Sequence, residues 1–344
     1  MSRWAVILAG GVGSRFWPLS TPERPKQMMP LAGSEPLLAD AVSRLVPLVP
    51  LERTLVLTNG SLAAAVRSLL PGLPAENVIA EPRPAGTAPA LAWAAVEISR
   101  RAGSSATMIS VHADWAVADA AGFRSTLACA AEAAERHHSL VTVGIVPSRA
   151  DPGFGYIQPG EPVDGARRVL RFVEKPDRAT AERMVREGFL WNSGIFVWRV
   201  GDFLDEIRAH CAELATSLGA AERGDMAGFF DSVTPISVDH GVLERSDRVL
   251  VLPGDFGWDD VGTWAALRRV RALDAAGNAS FGDVHPVQSS GNVVHAEGQT
   301  VVLYGVSDLV VVSRDGLTLV TTVDRAADLK KMLDELPERV RDLR

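Results

Sequence analysis

Near its N-terminus the chain carries an apolar run, Ala5-Val6-Ile7-Leu8, that passes straight into Ala9-Gly10-Gly11-Val12-Gly13-Ser14-Arg15. Phe16-Trp17-Pro18-Leu19-Ser20 follows, and then Pro25-Lys26-Gln27. A short apolar run closed by turn residues reads as a buried strand. Three glycines in four positions let the backbone turn tightly and bring its amides close to a ligand. Arg15 and Lys26 add two positive charges nearby in sequence. Strand, glycine turn and cations are the parts of a polyphosphate site, although a glycine turn alone is equally an ordinary connection. The dinucleotide fingerprint is not met, because Phe16 stands where its third glycine falls. The P-loop is not met either, since no Gly-Lys-Ser/Thr follows.

Downstream, apolar runs alternate with helical patterns. Residues 53–58, 77–82, 106–111 and 139–146 read as strands. Residues 37–48, with Pro36 in the first turn, read as a helix, as do 88–101 and 120–135. Ser61 is expected to cap a further helix reaching Leu70. Such alternation predicts an α/β fold with a Rossmann-like, mostly parallel sheet covered by helices. Ligands in such sheets bind at the carboxyl ends of the strands, where Leu8 to Arg15, Glu81 and Asp114 fall. A looser polar segment is expected before Asp231, after a helix over 201–212. From Gly282 the helical patterns give way to short β-rich runs with Asp315-Gly316 as a turn signal. This predicts a small β-helix-like appendage, followed by a helix capped by Asp324 and stopped by Pro337. Its apolar face, Leu329, Met332, Leu333 and Leu336, is suited to the appendage or to a second subunit. The expected domains are therefore 1–281, catalytic, and 282–344.

A chain of 344 residues has room for both. Its net charge of −7 argues against a nucleic-acid partner, which needs a basic surface, but leaves room for a local anion pocket. Cys129 and Cys211 are too few for a disulfide framework and are expected to be buried free thiols. No run approaches the ~18 apolar residues of a membrane span, and the N-terminus does not read as a signal peptide. A cytoplasmic protein without membrane contact is expected, in which Asn59-Gly60-Ser61 and Asn278-Ala279-Ser280 match the glycosylation pattern by accident.

The opening string resembles the signature of the sugar-1-phosphate nucleotidyltransferases, L-A-G-G-x-G-x-R followed by P-K. Phe16-Trp17-Pro18-Leu19-Ser20 looks like the mannose-1-phosphate guanylyltransferase branch. Later strings are similar in the same order. Glu81-Pro82-Arg83-Pro84-Ala85-Gly86-Thr87-Ala88-Pro89-Ala90 resembles E-P-x-x-x-N-T-A-P-A, with Gly86 in place of Asn. His112-Ala113-Asp114-Trp115 stands where the family shows P-A-D-H. Phe172-Val173-Glu174-Lys175-Pro176 and Trp191-Asn192-Ser193-Gly194 match F-x-E-K-P and W-N-S-G, and Trp258-Asp259-Asp260-Val261-Gly262 matches W-x-D-V-G. By themselves Glu174-Lys175 is a solvated ion pair, the W-N-S-G string a turn, and adjacent aspartates a helix cap. Residues 236–244 resemble S-I-S-V-D-Y-x-V-M-E and are expected to pack beneath the sugar.

The resemblance implies GTP and α-D-mannose 1-phosphate as substrates and Mg²⁺ as cofactor. It implies nucleotide contacts from Leu8, Ala9, Gly10, Gly11, Gly13, Arg15, Lys26, Glu81, Thr87, Ala88 and Asp114. Gly155, Glu174, Lys175, Asn192 and Asp260 would hold the sugar phosphate, and Asp114 and Asp260 the metal. Arg15, Lys26 and Lys175 would be catalytic. His112, with no second histidine at a ligand spacing, is expected to be structural. Some relatives carry a C-terminal isomerase domain, for which the chain is too short, so a single activity and a homodimer through the C-terminal region are expected. The alternatives are the same chemistry on another nucleotide or sugar, a non-catalytic GDP-mannose-binding subunit, and a nicotinamide-dependent dehydrogenase, against which the broken glycine fingerprint argues.

Overall fold

A computed structural model describes residues 2–11 and 14–341. The strands in chain order are β1 Arg3–Leu8, β2 Thr54–Asn59, β3 Val78–Glu81, β4 Thr107–His112, β5 Ala116–Val117, β6 Leu140–Ile145, β7 Tyr156–Val163 and β8 Ala166–Val173. They continue with β9 Leu190–Arg199, β10 Val249–Gly254, β11 Trp258–Asp259, β12 Ala279–Val287, β13 Val293–Tyr304, β14 Leu309–Arg314 and β15 Leu317–Thr322. The chain divides into two compact units. The first comprises Met1–Gly10, Val42–His112 and Asp119–Phe256; the second comprises Gly11–Ala41, Ala113–Ala118 and Gly257–Arg344.

The first unit is built on a nine-stranded sheet of order β3-β2-β1-β4-β9-β6-β10-β8-β7. The expected parallel run is present: β1 pairs in parallel with β2 and β4, and β2 with β3. The strands β1, β2 and β4 are apolar runs buried on both faces, as parallel strands are. The sheet as a whole is mixed. β9 inserts antiparallel between β4 and β6, and β7 and β8 form an antiparallel hairpin at one edge. Asp164 and Gly165 close that hairpin at φ 45° and 87°, the geometry an Asp-Gly turn supplies. The W-N-S-G string is strand, not turn: it lies within β9, where the register with β6 shifts between Val143 and Gly144 and Gly194 adopts φ 73°.

The helix Thr87–Ala102 packs on the core with Ala88, Ala90, Leu91, Ala92, Ala94 and Ala95 buried. Alanine carries no side-chain entropy cost in a helix and allows close approach, Pro89 suits the first turn, and Gly103 at φ 83° ends it. Asp177 caps the helix Arg178–Arg186 through the Thr180 amide at 2.7 Å. Ser61 does not cap. Its hydroxyl donates to Asn59 Oδ1, which also takes the Leu62 amide, and the helix Ala63–Leu69 begins without a side-chain cap. The segment expected to be loose holds three short helices, Ala212–Ala215, Leu218–Glu222 and Met226–Ser232, ordered by burial of Phe229 and Phe230. Cys211 is buried, but Cys129 is exposed, because it lies on the solvent side of the helix Ala120–His137.

In the second unit, β12, β13 and β14 stack in parallel, and β15 returns antiparallel. Asp315 and Gly316, at φ 50° and 80°, make the expected turn. Ala279, Val293 and Val310 stand in register on successive rungs and are all fully buried. Beside them Asn278 Oδ1 accepts from both the Asn292 amide and Asn292 Nδ2, a ladder that stacked parallel coils favour. Asn278 is thus a buried structural residue. The helix Leu329–Glu335 follows, and Asp324 makes no side-chain cap, because a 3₁₀ turn at Arg325–Asp328 intervenes. Leu329, Met332, Leu333 and Leu336 pack into the same core as Phe16, Trp17 and Trp264. Among the described residues no helix is long and apolar enough to cross a membrane.

Candidate active site

Two aspartates of the second unit, Asp114 and Asp260, converge on one lysine. Lys26 opens the 3₁₀ turn Lys26–Met28 and is buried. A buried ammonium needs partners. Its Nζ donates to the Asp260 main-chain carbonyl at 2.6 Å and pairs with Asp114 Oδ2 at 3.2 Å. Two carboxylates distant in sequence meet here because β5 and β11 form a two-stranded ribbon with Asp259 opposite Ala116. The adjacent aspartates have different employments. Asp259 accepts a fork from Arg269, at 2.6 Å from Nε and 3.1 Å from Nη2, and takes the Val261 amide. Burial pushes the Asp260 carboxyl up, against the pull of Lys26. Val261, immediately after it, holds φ 47°, a conformation that costs a β-branched residue strain.

Arg15 is exposed, and its charge reaches Asp260. Gly11 is fixed by Gln27, whose Nε2 donates to the Gly11 carbonyl at 3.0 Å. Gly13 lies outside the described residues. A Cβ on Gly262 would come within 2.6 Å of Asp260 Oδ2, so glycine there leaves the carboxylate its space. Asp114 and Asp260 offer hard oxygen donors, the type Mg²⁺ takes one or two at a time beside phosphate and water. Among the described residues no cluster of three or more metal-ligating side chains occurs.

In the first unit, Leu8 ends β1, and the next residue is pinned from both sides. The Ala9 amide donates to the Leu57 carbonyl at 2.8 Å, and Thr58 Oγ1 donates to the Ala9 carbonyl at 3.1 Å. Glu81, the last residue of β3, lies over Gly10: a Cβ there would be 3.9 Å from Glu81 Oε1. Burial pushes the Glu81 carboxyl up to about 7. Thr87 Oγ1 accepts from the Val238 amide at 2.9 Å, and the Ala88 amide donates to the Ile236 carbonyl at 3.2 Å. Gly86 holds φ 87°, and a Cβ would strike the Ile236 carbonyl, so no asparagine fits this backbone. The departure from the family string at Gly86 therefore goes with a close approach between two loops.

A second cluster in the same unit unites the remaining candidates. The Asn192 amide donates to the Gly155 carbonyl at 2.8 Å. A Cβ on Gly155 would be 2.9 Å from Glu174 Oε2 and 3.5 Å from Asn192 Cβ. Lys175, at φ 40°, pairs with Glu174 at 2.6 Å, and both side chains are more than half exposed. Beneath them, Asn192 Nδ2 donates to Asp239 Oδ1 at 2.7 Å. Burial pushes the Asp239 carboxyl up, Asn192 and the nearby His112 opposing it. Asp239 opens a π-helical turn, Asp239–Leu243. Sequence reasoning gave Asp239, Gln27 and Thr58 no individual role; each is a short polar side chain whose importance lies in one distant backbone or amide partner, which no local pattern signals.

Residues 4–277 match the Nucleotidyl transferase family, and residues 282–336 match the MannoseP isomerase/GMP-like beta-helix domain. The chain is 36% identical over 346 residues to the alginate biosynthesis protein AlgA of Pseudomonas aeruginosa, covering 96% of this chain and 71% of that one. It is also 36% identical over 352 residues to the mannose-1-phosphate guanylyltransferase of Escherichia coli, covering 97% and 73%. A solved structure, described as mannose-1-phosphate geranyltransferase from Thermus thermophilus, superposes with a TM-score of 0.91 at 33% identity, covering 97% of this chain and 99% of that one.

Proposed function

The chain belongs to the nucleotidyl transferase family, in its mannose-1-phosphate guanylyltransferase branch, and from that footing we propose that it transfers GMP from GTP to α-D-mannose 1-phosphate, giving GDP-mannose and pyrophosphate. The observation that carries the reading is the buried Lys26 ammonium held between the Asp114 carboxylate and the Asp260 main-chain carbonyl. A phosphate oxygen of the sugar attacks the α-phosphorus of GTP, and the bond from that phosphorus to the β-phosphate oxygen breaks. The nucleophile is already an anion, so no general base is needed, and catalysis rests on alignment and charge.

In this reading Arg15 and Lys26 stabilise the charge that moves onto the leaving pyrophosphate. The amides of Gly10, Gly11 and Gly13 approach the phosphates, and Leu8 and Ala9 border the nucleoside. Glu81 accepts from N1–H and the 2-amino group of guanine, a donor pair adenine lacks, with Thr87 and Ala88 completing the base pocket. Glu174 and Asn192 receive sugar hydroxyls beside Gly155, and Lys175 holds the attacking phosphate. Mg²⁺ held by Asp114 and Asp260 would, when bound, neutralise phosphate oxygens.

The same reading includes a cytoplasmic location and a homodimer through the C-terminal region. The face of the helix Leu329–Glu335 is used inside the unit, so the dimer surface falls to Val287, Val302, Tyr304 and Val320, which are exposed on β12, β13 and β15. Pyrophosphate release with Mg²⁺ tests the function, with GTP, ATP, UTP and dTTP each crossed with mannose 1-phosphate and glucose 1-phosphate. Release confined to GTP with mannose 1-phosphate is expected. Another active pair would overturn the base or sugar assignment, and silence from folded protein would favour a binding subunit.

A further inference from the structure

The loop that carries Lys26 is tied at both ends to the C-terminal coils, and the ties meet at one carboxylate. Arg24, two residues before Lys26, donates a fork to Glu297 in β13, at 2.8 Å and 2.9 Å. Arg314 in β14 lies 3.5 Å from the same carboxylate and donates through Nη1 to the Leu19 carbonyl at 3.1 Å. On the far side of Lys26, Arg271 donates through Nε to the Leu31 carbonyl at 2.7 Å and approaches His295 Nδ1 at 2.9 Å. His295 Nε2 in turn meets Glu297 Oε1 at 3.1 Å. The aromatic residues run the same course. His295 stacks on Phe281 at 4.4 Å and lies edge-on to Trp264, Trp264 meets Phe16 at 5.1 Å, and the Phe16 ring is 6.0 Å from Lys26 Nζ.

Arg314, Glu297 and Arg271 thus hold Leu19, Arg24 and Leu31 respectively, from β14, β13 and the segment before β12. Forked arginine–carboxylate bonds fix direction as well as distance. The His295 hydrogen bond, with Arg24 beside it, outweighs burial and holds the Glu297 carboxyl well below the usual carboxylate range, so it is ionised whenever the loop is charged. Salt links at an exposed surface contribute little, but both Glu297 and its partner Arg24 are largely covered.

We infer that Glu297 is a positioning residue for the reaction: through Arg24 and Arg314 it sets the Leu19–Leu31 loop, and so keeps the Lys26 ammonium between Asp114 and Asp260. The inference rests on the catalytic role proposed for Lys26. It assigns the appended coils a task in the chemistry of the loop and makes Glu297, which touches no reacting atom, its hub.

The test is a double-mutant cycle on the full chain with Glu297→Gln and Lys26→Ala, joined by Arg24→Gln, which cuts the fork from the loop side and leaves His295 and Glu297 in place. Glu297→Gln and Arg24→Gln are each expected to lower kcat roughly tenfold or more while KM for the sugar phosphate stays within about twofold. In the Lys26→Ala background either change should cost less than about twofold, because the group it positions is gone. Amide exchange, read without substrate, should quicken over residues 19–31 in Glu297→Gln and stay at the parent level in β1, β2 and β4. An equal loss of kcat with and without Lys26 would overturn the inference, and so would exchange over 19–31 that matches the parent. Quickened exchange throughout the chain would also overturn it, as the mark of a merely structural residue. If the parent releases no pyrophosphate from any substrate pair, the functional reading fails, and the exchange measurement still decides whether Glu297 holds the loop.

Discussion

The residues assigned to the nucleotide's phosphates and those assigned to the sugar are held in opposite ways. Lys26 is buried, bonded to a backbone carbonyl and a carboxylate, and its loop is tied by three arginines. Lys175 is exposed, just past the end of β8, and pairs with the carboxylate next to it in sequence. The first lysine's geometry is set by distant parts of the chain, the second's by its immediate neighbour. Groups that must meet a charge developing in the transition state gain from being fixed beforehand. Groups that admit and release a sugar phosphate gain from solvent access.

This contrast can be broken most directly at the cations. Arg15→Ala and Lys26→Ala should each lower kcat about 100-fold to 1,000-fold, the range for losing one preorganised charge stabiliser, with sugar-phosphate affinity nearly unchanged. Steady-state rates beside calorimetric binding would check it, and equal losses in both would remove the distinction between the regions. At the sugar cluster the pattern should invert. Glu174→Gln should raise KM for mannose 1-phosphate about tenfold and change kcat by no more than about threefold, since it removes binding common to ground and transition states.

A third test uses the buried Glu81. Its carboxyl titrates at about 7, above its ordinary 4.5. The folded protein therefore holds a proton here that the unfolded chain has already lost between those values, and this group's contribution to stability falls as pH rises through that window. GTP binding should move the other way, strengthening between pH 6 and 8 by about tenfold as the proton leaves and the carboxylate can accept from guanine. Glu81→Gln should flatten that profile in a fluorescence titration; an unchanged slope would detach Glu81 from the base. The smallest effect is expected at Cys129→Ser, an exposed helix position, where the unfolding midpoint should report a change within about 0.5 kcal/mol.

Much of this arrangement is legible in the sequence because its parts are local. The strand and glycine loop at 5–11, the alanine helix after Thr87, the Asp177 cap and the Asp315-Gly316 turn each follow from neighbouring residues. The Asp164-Gly165 turn was equally available and would have revealed the hairpin of β7 and β8. The antiparallel entry of β9 between β4 and β6 was not legible, since strand direction depends on where the chain returns from and not on the strand's own residues. The division of labour between Asp259 and Asp260 was hidden for a similar reason: Arg269 takes one and Lys26 reaches the backbone of the other. Cys129 shows the limit of composition, which can exclude a disulfide framework but cannot say which face of a helix a thiol occupies.

The second unit is assembled from three separated stretches, and this bears on how the protein is made. Gly11–Ala41 leaves the ribosome well before the residues that bind it, Arg271, Glu297 and Arg314, have been made. At ordinary elongation rates the interval is on the order of tens of seconds. Over it the Leu19–Leu31 loop lacks those three arginine and glutamate ties, while the strands up to β10 are completed before the first of them, Arg271. The Leu19–Leu31 loop of the nascent chain therefore acquires its ties in sequence order, first Arg271, then Glu297, then Arg314.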